Sequence, residues 1–202
     1  MKFVSIIMGS KSDYEIVSET AKILEEFDVK YEMIISSAHR SPTRTHQYVQ
    51  DADARGAAVF VCAAGMAAHL AGAVAAYSLK PVIGVPMGGS AVNGVDALYS
   101  TVQMPAGMPV ATLAIGKAGA KNAAYLAMQI LALSDENLAL KLKEDREKQA
   151  KSLEIDSKKI YNYHFEEQYI KDKITFDYKI KEGMCTKTNA KYLMEQIGIL
   201  NK

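Results

Sequence analysis

An α/β protein built on a parallel sheet is the fold class this 202-residue sequence predicts. Three observations predict it. Apolar runs of strand length alternate five times with longer segments of helical period. The run 57–63 is apolar without interruption, the pattern of a strand buried on both faces. The segments that follow the runs are rich in glycine, serine and histidine.

Phe3–Met8 reads as the first strand, and Ser12–Phe27 as a helix that turns Ile16, Val17, Ile23 and Leu24 inward. Tyr31–Ser36 is the second strand. Pro42, suited to the first turn of a helix because its missing N–H would have no partner there, opens one that runs to Arg55. Ala57–Ala63 is the third strand, Ala67–Ser78 a helix of small residues and Pro81–Val85 the fourth strand. After the glycine-rich Met87-Gly88-Gly89-Ser90 come a short helix, Val95–Val102, a fifth strand, Val110–Ile115, and an alanine-rich helix, Ala118–Leu133. The preference for right-handed crossovers leaves few ways to connect such a series, and a flavodoxin-like three-layer α/β/α sandwich is expected.

The chain changes character near Ser134. Asp135–Ile155 reads as an exposed, charged helix; beyond it alanine is rare, and five of the eleven tyrosines fall between Tyr161 and Tyr192. Ile174, Phe176, Tyr178 and Ile180 alternate with polar neighbours as a strand does, and Asn189–Leu200 has the look of a final helix. A main domain, 1–155, and a C-terminal extension of mixed structure, 156–202, are therefore expected, the extension packing on the core or on a neighbouring subunit.

Bulk composition narrows the function. Hydrophobic residues make up 49% and charged residues 23%, with a net charge of +1, so neither disorder nor a nucleic-acid-binding surface is expected. The apolar stretch that ends at Gly9 is too short for a signal peptide or a membrane span. Cys62 lies in an apolar run and reads as a buried free thiol, Cys185 is far from it, and no Cys-x-x-Cys pair occurs. A cytoplasmic protein without membrane contact follows from these readings.

Ligands in open α/β sheets bind beyond the carboxyl ends of the strands, so the chemistry is sought in five loops opening on one edge. In the first, Gly9 permits a tight turn, and Ser10 and Ser12 put hydroxyls beside the free amides of a helix start, an arrangement that attracts phosphate. Spacing alone equally allows Ser12 or Asp13 to be a plain N-cap. The second loop, Ser36-Ser37-Ala38-His39-Arg40-Ser41-Pro42, pairs an imidazole with a guanidinium. Histidine exchanges protons near neutrality, and a neighbouring cation favours its neutral, basic form. Arg40 can fork onto phosphate or carboxylate. His39 could instead merely bond backbone, but two serines and an arginine at a strand end favour chemistry. His69, among alanines in Ala64-Gly65-Met66-Ala67-Ala68-His69-Leu70, reads as a structural histidine lining the pocket, whereas His46 and His164 have no chemical company. The fourth and fifth loops offer Ser90 and the stretch Gly116-Lys117-Ala118-Gly119.

Two imidazoles are too few for a metal site. Gly-x-Gly-x-x-Gly, a Walker A sequence and Gly-x-Ser-x-Gly are all missing, so a nicotinamide cofactor, ATP hydrolysis and a serine nucleophile are not expected. What remains is a site of phosphate holders, backbone amides and imidazoles, suited to proton transfer on a small phosphorylated molecule.

Several segments resemble the signature loops of the N5-carboxyaminoimidazole ribonucleotide mutases (PurE, class I, of the AIR carboxylase family). They are Met8-Gly9-Ser10-Lys11-Ser12-Asp13, Ser37-Ala38-His39-Arg40-Ser41-Pro42 and Ala64–Leu70, followed by Pro81–Pro86, Gly94–Ser100, Val102–Gly107, Gly116–Ala120 and Asn122–Ala124. The resemblance spans roughly 2–150. It implies an isomerase of de novo purine synthesis that moves a carboxyl group from the exocyclic N5 to the ring carbon C4 by decarboxylation and recarboxylation, with no metal, ATP or biotin. His39 would be the proton shuttle. Ser10, Ser12, Ser37 and Arg40 would hold the phosphate and Asp13 the ribose, while Gly65, Ala67, His69 and Leu70 would line the pocket for CO2 and imidazole. A homo-octamer is implied as well.

Three positions depart from that pattern: Met66 replaces a usual glycine, Ala71 a usual proline, and Met87-Gly88-Gly89 differs from the commoner fourth loop. Class II relatives carboxylate aminoimidazole ribonucleotide directly with CO2, but typically lack the Ala67–Leu70 run kept here. That activity, and a non-catalytic nucleotide sensor, are the alternatives.

Overall fold

The computed structural model describes residues 2–157, 163–170 and 173–183, which divide into two units, Met1–Glu144 and Asp145–Lys202. In the first, β1 (Phe3–Met8), α1 (Tyr14–Glu26), β2 (Tyr31–Ile35), α2 (Pro42–Arg55), β3 (Ala57–Gly65), α3 (Leu70–Tyr77), β4 (Val82–Met87), α4 (Val95–Val102), β5 (Ala111–Thr112) and α5 (Lys117–Ala132) alternate without exception. All neighbouring strands are parallel, in the order β2-β1-β3-β4-β5. This is the flavodoxin-like order.

Strand periodicity sorts the core into two layers. Val4, Ile6 and Met8 of β1 and Val59, Val61 and Ala63 of β3 point to one side, where α1 and α5 supply Val17, Leu24, Ala120, Ala124 and Met128. Phe3 and Ile7, with Ala57, Phe60 and Cys62, point to the other, against Val49 and Ala52 of α2 and Leu70 and Val74 of α3. Cys62 is a buried free thiol, as expected, and burial pushes its pKa up. Of the inward set expected on the first helix, Val17, Ile23 and Leu24 are buried and Ile16 partly so.

Two elements are four residues shorter than the sequence predicts. The third helix begins at Leu70 instead of Ala67 because Met66 takes a left-handed φ of 56° and His69 N–H turns back onto the Ala67 carbonyl at 2.8 Å. The fifth strand keeps only Ala111–Thr112. Beyond it the chain still follows β4 through Leu113 N–H to Gly84 O (3.0 Å) and Gly116 N–H to Pro86 O (2.9 Å), but the approach of α5 bends it out of a regular ladder. At Gly119 a Cβ would come within 1.7 Å of the Ala114 carbonyl oxygen, so only glycine permits this approach.

The division between the units falls within α6 (Glu136–Ser157), which covers the charged helix expected from the sequence. In the second unit β6 (Tyr163–Ile170) and β7 (Lys173–Glu182) form an antiparallel hairpin, where only the second strand is legible in the sequence. A register irregularity between Phe165 and Glu167 explains the weak alternation of β6. The expected helix 189–200 and Cys185 lie outside the described residues. Among the described residues no helix is long and apolar enough to cross a membrane.

Candidate functional site

The strand order reverses between β1 and β3, and there a cleft of about 570 Å³ opens at the carboxyl ends of the strands. Its position follows from connectivity. The chain leaves β1 toward β2 on one side and returns to β3 on the other, so the loops after β1, β2 and β3 diverge around a gap.

The loop after β1 is pinned where it leaves the sheet by Gly9 N–H to Ala63 O, 3.0 Å. Ser10 has extended backbone and caps the short 3-10 turn Lys11–Asp13; its Oγ accepts from the Ser12 N–H at 3.3 Å and from the Ser12 hydroxyl at 2.9 Å. Ser10 is thus the cap residue, whereas Asp13, at the start of α1, makes no capping bond. Its carboxyl is half-buried; burial raises its pKa, opposed by hydrogen bonds from Ser12 and from the Ser10 backbone. A carboxylate held this way has unmet acceptor capacity toward the cleft.

Ser36 anchors the loop after β2, with its buried hydroxyl 2.8 Å from that of Thr45. Ser37 then closes a tight turn: its Oγ accepts from Arg40 N–H at 3.2 Å, and its carbonyl accepts from Ser41 N–H at 2.9 Å. The turn pushes His39 and Arg40 outward. Arg40 Nη2 donates to Gly9 O at 3.1 Å, stitching the first two loops together and setting a guanidinium beside the Ser10–Ser12 hydroxyls. Hydroxyls and a guanidinium on one wall form a cradle for phosphate.

On the opposite wall the loop after β3 presents Gly65, Met66, Ala67 and His69, held down by the buried Ala68 and Leu70. His69 Nδ1 lies 2.9 Å from His39 Nε2, and the rings meet edge to face at 87°. One proton is shared between these nitrogens when both rings are neutral, and which ring donates depends on the tautomers. His69 is therefore more than a lining residue. The left-handed backbone of Met66 costs roughly 1–2 kcal/mol relative to a relaxed conformation.

All ten residues singled out in the sequence line this one cleft: Ser10, Ser12, Asp13, Ser37, His39, Arg40, Gly65, Ala67, His69 and Leu70. The fifth loop, expected at the same edge, contributes none. Gly88, Gly89 and Ser90 of the fourth loop also line it. Ser90 donates to Asp96 Oδ1 at 2.8 Å and accepts from Gly94 N–H at 3.1 Å, an anchor for the fourth loop that sequence reasoning missed. Its signal was Gly94 itself, at φ 86° and with a Cβ position only 3.1 Å from Gly88 Cα. The two remaining histidines are not bare: His46 is half-buried with its ring 4.4 Å from that of Tyr77, and His164 Nδ1 lies 2.9 Å from Gly183 O. Neither is in the cleft.

Comparison with known proteins points one way. A sequence profile of the AIR carboxylase family matches residues 3–152. The chain is similar to the N5-carboxyaminoimidazole ribonucleotide mutase of Bacillus subtilis, 54% identical over 144 residues that cover 71% of this chain and 89% of the relative. It is also similar to the mutase of the same name from Pyrococcus abyssi, 52% identical over 73% of this chain and 83% of the relative. Among solved structures, that of PurE from Treponema denticola superposes with a TM-score of 0.72 at 29% identity, covering 79% of this chain and 99% of that one.

Proposed function

From the premise that this chain belongs to the AIR carboxylase family, we propose that it is an isomerase converting N5-carboxyaminoimidazole ribonucleotide to 4-carboxyaminoimidazole ribonucleotide in purine biosynthesis. One observation carries the mechanism: the His39–His69 contact of 2.9 Å sits in the same cleft as the phosphate cradle.

The reaction moves one carboxyl group and needs one proton at each end. As the N5–carboxyl bond breaks, the bonding electrons return to N5, and CO2 is released inside the cleft. His39 delivers a proton to the departing nitrogen. The ring carbon C4 then attacks CO2, and the neutral imidazole takes the C4 proton, which restores its starting state. One histidine serves both steps because it is acid in the first and base in the second. His69, within hydrogen-bonding distance of that ring, orients it. Ser10, Ser12, Ser37 and Arg40 hold the phosphate, Asp13 the ribose hydroxyls, and Gly65, Ala67 and Leu70 the imidazole side.

The chemistry belongs to residues 1–155, which contain all five strand-end loops; the extension 156–202 lies beyond them. A homo-octamer is the assembly we assign. Val95, Tyr99 and Val102 form an exposed apolar stripe on α4 at helical spacing, suited to burial against another copy. A cytoplasmic location suits the free, reduced Cys62.

The test compares substrates. Supplied with the N5-carboxylated nucleotide and no ATP, the protein forms the C4-carboxylated product. Supplied with aminoimidazole ribonucleotide and bicarbonate alone, it forms far less. Preference for the second pair would assign direct carboxylation instead, and tight nucleotide binding without turnover would make the protein a sensor.

A further inference from the structure

The fourth loop of the cleft is held from behind. Gly88, Gly89 and Ser90 line the cleft, whereas Asp96, in the first turn of α4, does not. Asp96 Oδ1 accepts from the Ser90 hydroxyl at 2.8 Å and from the Ala97 N–H at 2.9 Å. Ser90 Oγ in turn accepts from Gly94 N–H at 3.1 Å, and Asn93 N–H closes back onto the Ser90 carbonyl at 3.1 Å. Ser90 is thus tied three ways to the segment that opens α4. The backbone beside it is confined as well. A Cβ on Gly94 would sit 3.1 Å from Gly88 Cα and 3.1 Å from Met87 O, and one on Gly65 would sit 3.5 Å from Met87 O. The chain at 87–88 therefore runs backbone against backbone between the head of α4 and the end of β3, which leads into the loop carrying His69. Gly89 is different: a Cβ there meets nothing within 4 Å, so no packing of its own fixes it.

We infer that Asp96 is a positioning residue: through Ser90 it fixes the fourth loop as a stiff wall of the cleft, and so sets the imidazole ring of the bound nucleotide against His39. The role rests on the reading of the protein as a carboxyl-moving isomerase. In that reading the first two loops hold phosphate and ribose, which leaves the ring free to turn about its bond to the sugar. The third loop lines the imidazole side, and the fourth is its neighbour along the sheet edge. Proton transfer between ring and imidazole needs heavy atoms within about 2.6–3.2 Å. A misplacement of about 1 Å can cost on the order of 10²-fold in rate. Two consecutive glycines have the backbone freedom to let such a wall give. The bonds from Asp96 and Gly94 to Ser90 remove that freedom at the next residue.

The test uses the full-length protein and follows interconversion of the two carboxylated nucleotides. Asp96→Ala lowers kcat on the order of tenfold, while affinity for ribose 5-phosphate, which lacks the ring, stays at the native value. Asp96→Asn keeps an oxygen for the Ser90 hydroxyl and the Ala97 N–H, and returns kcat to near the native level. Ser90→Ala loses the same factor as Asp96→Ala, and the two changes together lose no more than either alone, because both cut one connection. Amide hydrogen exchange at residues 88–90, read without substrate, speeds up in Asp96→Ala. A native kcat in folded Asp96→Ala protein, or losses that multiply in the double variant, would overturn the proposal and leave the isomerase reading intact. So would unchanged exchange at 88–90, or a parallel loss of ribose 5-phosphate binding. A native protein that cannot interconvert the two nucleotides would overturn the isomerase reading and, with it, the role of Asp96.

Discussion

Nε2 of His39 and Nδ1 of His69 are 2.9 Å apart although 30 positions separate them in the chain, one in the loop after β2 and the other at the head of α3. The contact joins opposite walls of the cleft and couples two groups that the sequence shows only as separate histidines. Replacing His69 by Asn leaves His39 in place but without its imidazole partner. The expected outcome is a fall in kcat of up to about 10²-fold, the lower end of what a positioned proton group contributes. KM should be little changed. Steady-state kinetics on the variant check this, and an unchanged kcat would reduce His69 to a wall residue.

Arg40 is the natural site to probe phosphate binding. It donates to Gly9 O at 3.1 Å, so removing it loses both a loop tether and a cation. Arg40→Ala should raise KM by about tenfold to a hundredfold, in line with the roughly 1.5–3 kcal/mol of a hydrogen bond to a charged group. Binding of the dephosphorylated nucleoside should change much less. Equal losses for both ligands would move the phosphate elsewhere.

Asp13 gives a pH prediction with a definite sign. Burial raises its pKa in the folded protein, so folding favours the protonated form. The contribution to stability is complete below the ordinary carboxylate pKa of about 3.9 and is lost as pH rises through the raised value. Asp13→Asn, which cannot ionise, should therefore be more stable than the native protein at neutral pH and equally stable in acid, while binding the ribose less well. Denaturant titrations at pH 3 and pH 7 measure both limbs.

Gly119 is a purely structural test. A methyl group there meets the Ala114 carbonyl oxygen at 1.7 Å, and the obstacle is backbone, which leaves little to give. Gly119→Ala should cost about 3 kcal/mol or more, at the upper end of overpacking effects, seen as a fall in the denaturant midpoint. Gly107→Ala makes a useful contrast, since its φ of 87° adds strain but nothing lies within 4 Å of its Cβ position.

The sheet was legible because its signal is local. Burial on both faces writes continuous apolar runs such as Ala57–Ala63, and loops at strand ends announce themselves through glycine and serine. The cleft was legible for the same reason: its residues cluster in short segments whose common edge follows from topology. Three features were not. The His39–His69 bond depends on the distance between loops, which spacing does not encode. The early break before α3 depends on Met66 adopting a conformation methionine disfavours, so no propensity could announce it. β6 hid because Glu166 and Glu167 interrupt its alternation near the register irregularity, leaving only β7 with a clean period.

The most direct measurement is on His39→Asn, with formation of the C4-carboxylated nucleotide and binding of nucleotide followed on the same preparation. A proton carrier replaced by an amide should lose at least about 10²-fold in interconversion. The cradle of Ser10, Ser12 and Arg40, untouched, should hold the nucleotide as tightly as before. A variant that still interconverts the two carboxylated nucleotides at the native rate would contradict the assignment of His39.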